Sequence, residues 1–207
     1  MTSDDSSKTK KRRARLLFGI VSPYSYLAHI KLPAMADRHG YSIAYHPVDV
    51  MQAKLGAGNT GPSTHDMPIK RRYIREDLRR WADSYGVSLI FPENFESRRL
   101  TALAFLANDK RCARTFLDAA WDRVWAKGGP MGDEGLIKDI TDSLGWNWDE
   151  VLAFERSGEG ERWLVASNTA ATERGVFGIP AMLVDDQMWW GNDRLAFLDS
   201  YLKENAK

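Results

Sequence analysis

A chain of 207 residues is long enough to bury a sizeable core, as one large domain or as a domain carrying an insertion. With 29 basic against 28 acidic residues the net charge is +1, so no global field draws it to nucleic acid or anionic lipid. The single cysteine, Cys112, excludes an intramolecular disulfide, and no apolar run approaches a membrane span or a signal-peptide core, so a cytoplasmic protein is expected.

Residues 1–14 are polar, with Asp4 and Asp5 followed by Lys8, Lys10, Lys11, Arg12 and Arg13, and read as a disordered tail. The rest, 15–207, reads as one domain. Residues 15–21 hold Leu16, Leu17, Phe18, Ile20 and Val21, an apolar run suited to a strand buried on both faces. A helix is expected over 23–39, stopped by Gly40 and kinked or divided at Pro33. Between strand and helix lies Ser22-Pro23-Tyr24-Ser25. Ser22 suits an N-cap and Pro23 the first helical position, whose N–H would be unpaired in any case. A hydroxyl there faces free backbone N–H groups and the positive end of the helix dipole, a setting that can hold a thiolate or a carboxylate. Taken alone, the stretch reads more commonly as a plain capping serine.

Residues 41–50 alternate apolar and polar and read as a second strand, completing a βαβ unit. Residues 51–68 are rich in Gly, Asn, Ser and Thr and read as a long functional loop. An amphipathic helix over 69–85 follows, crowded by Lys70, Arg71, Arg72, Arg75, Arg79 and Arg80. Most of these charges suit a solvated face, and one or two near the loop could meet a ligand. After an apolar connector at 86–92, helices are expected over 98–108, 112–126, 134–144, 149–155 and 161–173, with Asp133 and Asn147 as caps and Gly145 and Gly175 as stops. Residues 180–184 and 187–190 read as a hairpin turning at Asp185-Asp186, and Gly191-Asn192-Asp193-Arg194 opens the last helix. The order is βαβ, helical block over 67–174, then ββα. With the block set aside it is an α/β thioredoxin-like fold whose core lies at 15–50 and 175–207.

Gly178-Ile179-Pro180 precedes a strand expected beside the first one. Taken alone, a proline there reads more commonly as an ordinary trans residue at a strand edge; a cis bond would leave the Ile179 backbone free to pair with an extended peptide ligand. The four histidines, 29, 39, 46 and 65, show no metal-ligand spacing, so no metal is expected, and Cys112 reads as a core thiol.

Together these segments resemble the thioredoxin-like enzymes, which carry Cys-Pro-x-Cys where this chain has Ser22-Pro23-Tyr24-Ser25. Two hydroxyls cannot exchange disulfides, but they can attend a borrowed thiolate. The resemblance sharpens to kappa-class glutathione transferases and, among them, 2-hydroxychromene-2-carboxylate isomerases. It rests on residues 18–28, Gly58-Asn59-Thr60-Gly61-Pro62-Ser63, Lys70-Arg71-Arg72-Tyr73 with Asp77-Leu78-Arg79-Arg80-Trp81, Phe91-Pro92, Ser97-Arg98-Arg99, residues 175–180 and Met188-Trp189-Trp190-Gly191-Asn192-Asp193-Arg194-Leu195.

The resemblance implies an isomerase that opens 2-hydroxychromene-2-carboxylate to trans-o-hydroxybenzylidenepyruvate in naphthalene breakdown, with glutathione regenerated as cofactor. It implies that Ser22 is catalytic, stabilising the thiolate, and that Ile179, Pro180, Trp190, Gly191, Asn192, Asp193, Asn59 and Lys70 bind glutathione. Lys54, Thr64, His65 and Phe95 are implied to meet a small aromatic carboxylate substrate, and a homodimer is implied. Thr64-His65 stands where the family usually has Asn-Arg, and Gly19 where it usually has Asp. A kappa-type transferase acting on other electrophiles and a non-catalytic glutathione-binding module stay open as alternatives.

Overall fold

The computed structural model describes residues 12–62 and 66–206. Four strands form one mixed sheet in the order β2-β1-β3-β4. β1 (Arg12–Phe18) runs parallel to β2 (Tyr41–Pro47) and antiparallel to β3 (Ala181–Val184), which pairs antiparallel with β4 (Gln187–Trp190). β1 is central because Leu16, Leu17 and Phe18 suit burial on both faces, and all three are buried.

β1 begins at Arg12, inside the stretch expected to be tail. Arg12 donates to the Asn205 carbonyl at 2.7 Å and pairs with Asp185 at 2.5 Å, while Ala14 is fully buried. Those partners come from the other end of the chain, so nothing local in the sequence marks them. The strand also stops at Phe18. Residues 19–22 turn out of the sheet, with Ser22 N donating to Gly19 O at 3.0 Å.

α1 (Pro23–Arg38) runs undivided through Pro33, contrary to the expected break. Its packing against β2, α3 and α9 outweighs the one hydrogen bond that a proline removes. A short helix, α2 (Val50–Gly56), opens what was expected to be loop from residue 51. Asp49 nucleates it by accepting from Met51 N and Gln52 N, and Ala53 is buried where α2 meets α8.

The helical block comprises α3 (Pro68–Tyr85), α4 (Arg98–Asp109), α5 (Ala113–Trp121), α6 (Glu134–Ser143), α7 (Trp148–Ser157) and α8 (Glu159–Glu173). The single helix expected over 112–126 is α5 followed by a π turn over Asp122–Ala126. Asp133 and Asn147 cap α6 and α7 as expected. A 3-10 turn at Asn192–Arg194 leads into α9 (Leu195–Glu204). One large core joins α1, the sheet face bearing Leu16 and Phe18, and the block, through Leu78, Leu103, Phe116, Trp121 and Trp125. A smaller core under the opposite face gathers Leu17, Val48, Ala171, Val176, Ala181 and Leu183. The fold is thioredoxin-like with a helical insertion. Among the described residues no helix is long and apolar enough to cross a membrane.

Candidate functional site

The site is built where β1 leaves the sheet. Ser22 caps α1, its Oγ accepting from Ser25 N at 3.2 Å. That bond uses an acceptor lone pair and leaves the Ser22 O–H free to donate outward. Ser25 is fully buried, and its Oγ has no partner among the described residues.

The carbonyl behind this hinge is fixed. Ile20 O accepts from the Trp125 indole at 2.9 Å and from the Trp121 indole at 3.3 Å. Trp125 in turn meets the rings of Phe91 and Phe95 with centroids 5.7 and 6.2 Å away. Phe95, expected at the substrate, therefore connects to the Ser22 hinge through one tryptophan, and about half of it is exposed.

The chain returns to this hinge through β3. The Ile179–Pro180 bond is cis, and the Ile179 side chain packs on Gly19. Neither backbone polar group of Ile179 has a backbone partner among the described residues. Gly191 N donates to Pro180 O at 2.9 Å, and Trp190 pairs with Ala181. The expected pair of segments, Ile179-Pro180 and Trp190 to Asp193, is thus brought into one place. Trp190 is half exposed and meets Phe177 edge-on at 4.8 Å. Gly178 leaves room for it, since a Cβ there would stand 2.7 Å from Trp190 Nε1.

Gly191 takes φ +102°, and the Asp193 carboxylate folds over it, closer than any Cβ would permit. Asn192 is buried, its Oδ1 accepting from the Tyr85 hydroxyl at 3.1 Å, while its Nδ2 has no partner among the described residues. A buried amide donor without a partner costs stability unless a ligand completes it.

α3 supplies the neighbouring wall. The Tyr24 hydroxyl donates to Asp77 at 2.8 Å. Burial raises the Tyr24 pKa, and the hydrogen bond to Asp77 adds to it, so this phenol stays protonated. Burial likewise raises that of Tyr85, with a smaller push from Asp193. Lys70 is exposed in the first turn of α3, two turns before Asp77 on one helix face.

Lys54 and Asn59 lie together at the end of α2, where Asn59 N donates to Lys54 O at 2.9 Å. Their side chains make no hydrogen bond with Ser22 or Trp190–Asp193 among the described residues. Thr64 and His65 lie outside the described residues. A groove of about 550 Å³ runs along α3, lined by Pro68, Arg71, Arg72, Arg75, Glu76 and Arg79, and contains none of the hinge residues. Arg75 stacks over Phe91 at 4.6 Å, which brings a cation of this helix to the aromatic patch. Among the described residues no group of His, Cys, Asp or Glu could hold a metal.

Tyr24, Asp77, Tyr85, Trp121, Trp125 and Phe177 belong to the surroundings of this site but stand out weakly in the sequence. Tyr24 lies inside the Ser-Pro-Tyr-Ser motif, which marks it. The tryptophans recur at the four-residue spacing of any core helix face, so nothing there announces a polar task.

Comparison with known proteins shows the family and the fold. Residues 16–203 match the family described as DSBA-like thioredoxin domain. A protein of Sphingobium xenophagum named 2-hydroxychromene-2-carboxylate isomerase is 42% identical over 185 residues, covering 89% of this chain and 95% of its own. A solved 2-hydroxychromene-2-carboxylate isomerase superposes with a TM-score of 0.88 at 35% identity, covering 93% of this chain and 95% of that one. A Caenorhabditis elegans protein named glutathione S-transferase kappa 2 is 22% identical, covering 95% of this chain and 94% of its own.

Proposed function

The chain is an isomerase that belongs to the 2-hydroxychromene-2-carboxylate isomerases of the DSBA-like thioredoxin family, and from that footing we propose that it converts 2-hydroxychromene-2-carboxylate to trans-o-hydroxybenzylidenepyruvate with glutathione as regenerated cofactor. The observation that carries the cofactor is the set of unspent polar groups around the hinge. Among the described residues the Ser22 O–H has no acceptor, the Ile179 backbone no backbone partner and the buried Asn192 Nδ2 no partner, and α1 packs against the turn that carries Asn192 and Asp193. A short peptide with a thiol, a carboxylate and an ammonium has the groups to complete them, and the relative named as a kappa glutathione transferase supports that choice.

Glutathione, when bound, would supply a thiolate for reversible addition to the conjugated double bond, the chemistry that would let that bond rotate. The chain's own residues prepare for this. Ser22 donates its O–H to the sulfur and, with the N-terminus of α1, favours the charged form. Ile179 pairs its backbone with the cysteinyl unit, and Pro180 fixes that edge. Trp190, Gly191 and Asn192 hold the γ-glutamyl end while Asp193 takes its ammonium. Asn59 and Lys70 serve the rest of the peptide. Phe95, with Phe91 and Trp125 behind it, packs on the substrate ring and excludes water from one side. Lys54 meets the substrate carboxylate, with Thr64 and His65 in the same role.

The net reaction moves one proton and no electrons. The hemiketal hydroxyl loses its proton, the ring C–O bond breaks, and the phenolate oxygen gains one. We place the protein in the cytoplasm, where thiols stay reduced, as part of naphthalene breakdown, and as a homodimer. Ile69 and Tyr73, apolar and largely exposed on α3, support the dimer.

The test follows the ultraviolet absorbance of the chromene with and without glutathione. Turnover that requires glutathione is expected. Conjugation of a model electrophile without isomerisation would favour a kappa-type transferase instead.

A further inference from the structure

Resting on the reading above, we propose that the backbone N–H of Val21 is a second hydrogen-bond donor to the anion held at Ser22, and that Trp121 and Trp125 are the positioning residues that aim it. An indole has one N–H, and a buried one needs an acceptor. Trp121 and Trp125 are both 1% exposed, and both give their single donor to Ile20 O. A carbonyl oxygen has two lone pairs, so this acceptor is saturated from the core side. The helix widens into a π turn over Asp122–Ala126 as it carries the second indole to this point.

The peptide between Ile20 and Val21 is planar and trans, so its C=O and N–H point in opposite directions. With the oxygen drawn into the core by two donors, the Val21 N–H is turned outward. It has no partner among the described residues, and Val21 is half-buried. The turn is closed by Ser22 N on Gly19 O at 3.0 Å, and turning over its central peptide, Ile20–Val21, would break both indole hydrogen bonds. One residue later the Ser22 O–H is also free to donate. Two adjacent donors on one rigid turn make a preorganised anion site, which is worth more than a single mobile hydroxyl. The packing explains half of this arrangement, since large aromatic residues fill the core. It does not require two indoles to share one acceptor beside the reactive hinge.

The readout is the ultraviolet absorbance of the thiolate of glutathione bound to the full-length chain, followed across pH. Trp125→Phe keeps a ring against Phe91 and Phe95 but removes the shorter bond. It is expected to raise the bound thiol's apparent pKa by about one unit and to lower kcat about tenfold, with KM for the aromatic acid changed less than about twofold. Trp121→Phe, which loses the longer bond, is expected to do the same more weakly. The charged groups around the site, Asp77 under Tyr24, Asp122 near Tyr26, and Asp193 with Arg194, are untouched in both variants.

Replacing Val21 by its α-hydroxy acid removes the N–H and leaves every side chain in place; it also makes the Ile20 carbonyl an ester, a weaker acceptor for the two indoles, so both changes act in the direction of Trp125→Phe and should reproduce its shift. An unshifted thiol pKa in that ester variant overturns the proposal, whatever the tryptophan variants do to stability. Wild-type protein that binds no glutathione would overturn the functional reading and this inference together. Wild-type protein that binds and titrates, beside an ester variant that titrates identically, overturns this inference alone.

Discussion

Gly19 and Ile179 are shape partners across the site. A Cβ built on Gly19 would stand 2.8 Å from Ile179 Cδ1 and 3.4 Å from the Val48 carbonyl oxygen. Gly19 is the residue where the chain leaves β1 for the Ser22 turn, and Ile179 is the residue whose backbone has no backbone partner among the described residues and is proposed to pair with glutathione. The absence of a side chain at one therefore sets where the other can sit.

Gly19→Ala is expected to push Ile179 outward and to raise the dissociation constant of glutathione about three- to tenfold, with kcat less affected. Ile179→Val removes the colliding methyl, so the double variant should recover most of the affinity. Titration calorimetry of the two single variants and the double variant checks this. A double variant no better than Gly19→Ala would show that the two residues do not act through each other.

Ser22→Ala removes both the cap of α1 and the proposed donor to the thiolate, and the two losses read out differently. Loss of the Ser25 N bond should lower unfolding stability by about 1 kcal/mol. Loss of the O–H should raise the apparent pKa in the pH–rate profile. Ser22→Asp, another good cap, should restore stability while bringing a negative charge against the thiolate and depressing activity further. Thermal unfolding beside pH–rate profiles separates the two roles.

Asn192→Ala is expected to weaken glutathione binding about tenfold, and removing the unpaired Nδ2 offsets part of the stability lost with the Tyr85 hydrogen bond. Tyr85→Phe removes the donor that orients the Asn192 side chain and should have a smaller effect in the same direction. Equal affinities for all three proteins would remove Asn192 from the site.

His46 gives the stability a pH dependence separate from catalysis. It lies on β2 opposite Leu17 of β1. Burial lowers its pKa from the ordinary 6.5, helped by Arg15, Arg174 and Arg13. The folded chain thus prefers the neutral ring, whereas the unfolded chain takes up a proton as pH falls through about 6.5. The His46 contribution is complete above that value and is lost below it. Melting temperature should fall between about pH 7 and 5, and His46→Gln should flatten that fall over the same range.

The sequence by itself determined the parts that depend on neighbours along the chain. Ser22-Pro23 specifies a capped helix start, since both residues act on backbone groups within three positions. Alternation in residues 41–50 specifies a strand, and Asp133 and Asn147 specify two helix starts. The long ordered resemblance from residue 15 to about residue 200 specified the family. Local chemistry points away from the folded structure at two positions. The alternation carries a strand through Asp49, which caps α2, and Pro33 signals a break that the packing around α1 overrides.

The tertiary structure alone decided which distant groups meet. Arg12 joined β1 because its partners, Asp185 and Asn205, arrive from the far end of the chain. Gly19 acquired its meaning only from Ile179. Trp121 and Trp125 looked like core from their spacing, and they are core. That both also grip the Ile20 carbonyl depends on the fold bringing a helix from the insertion against the β1–α1 turn. Hydrogen bonds and close packing between segments a hundred residues apart leave no periodicity in sequence, because each partner satisfies its own local pattern without the other.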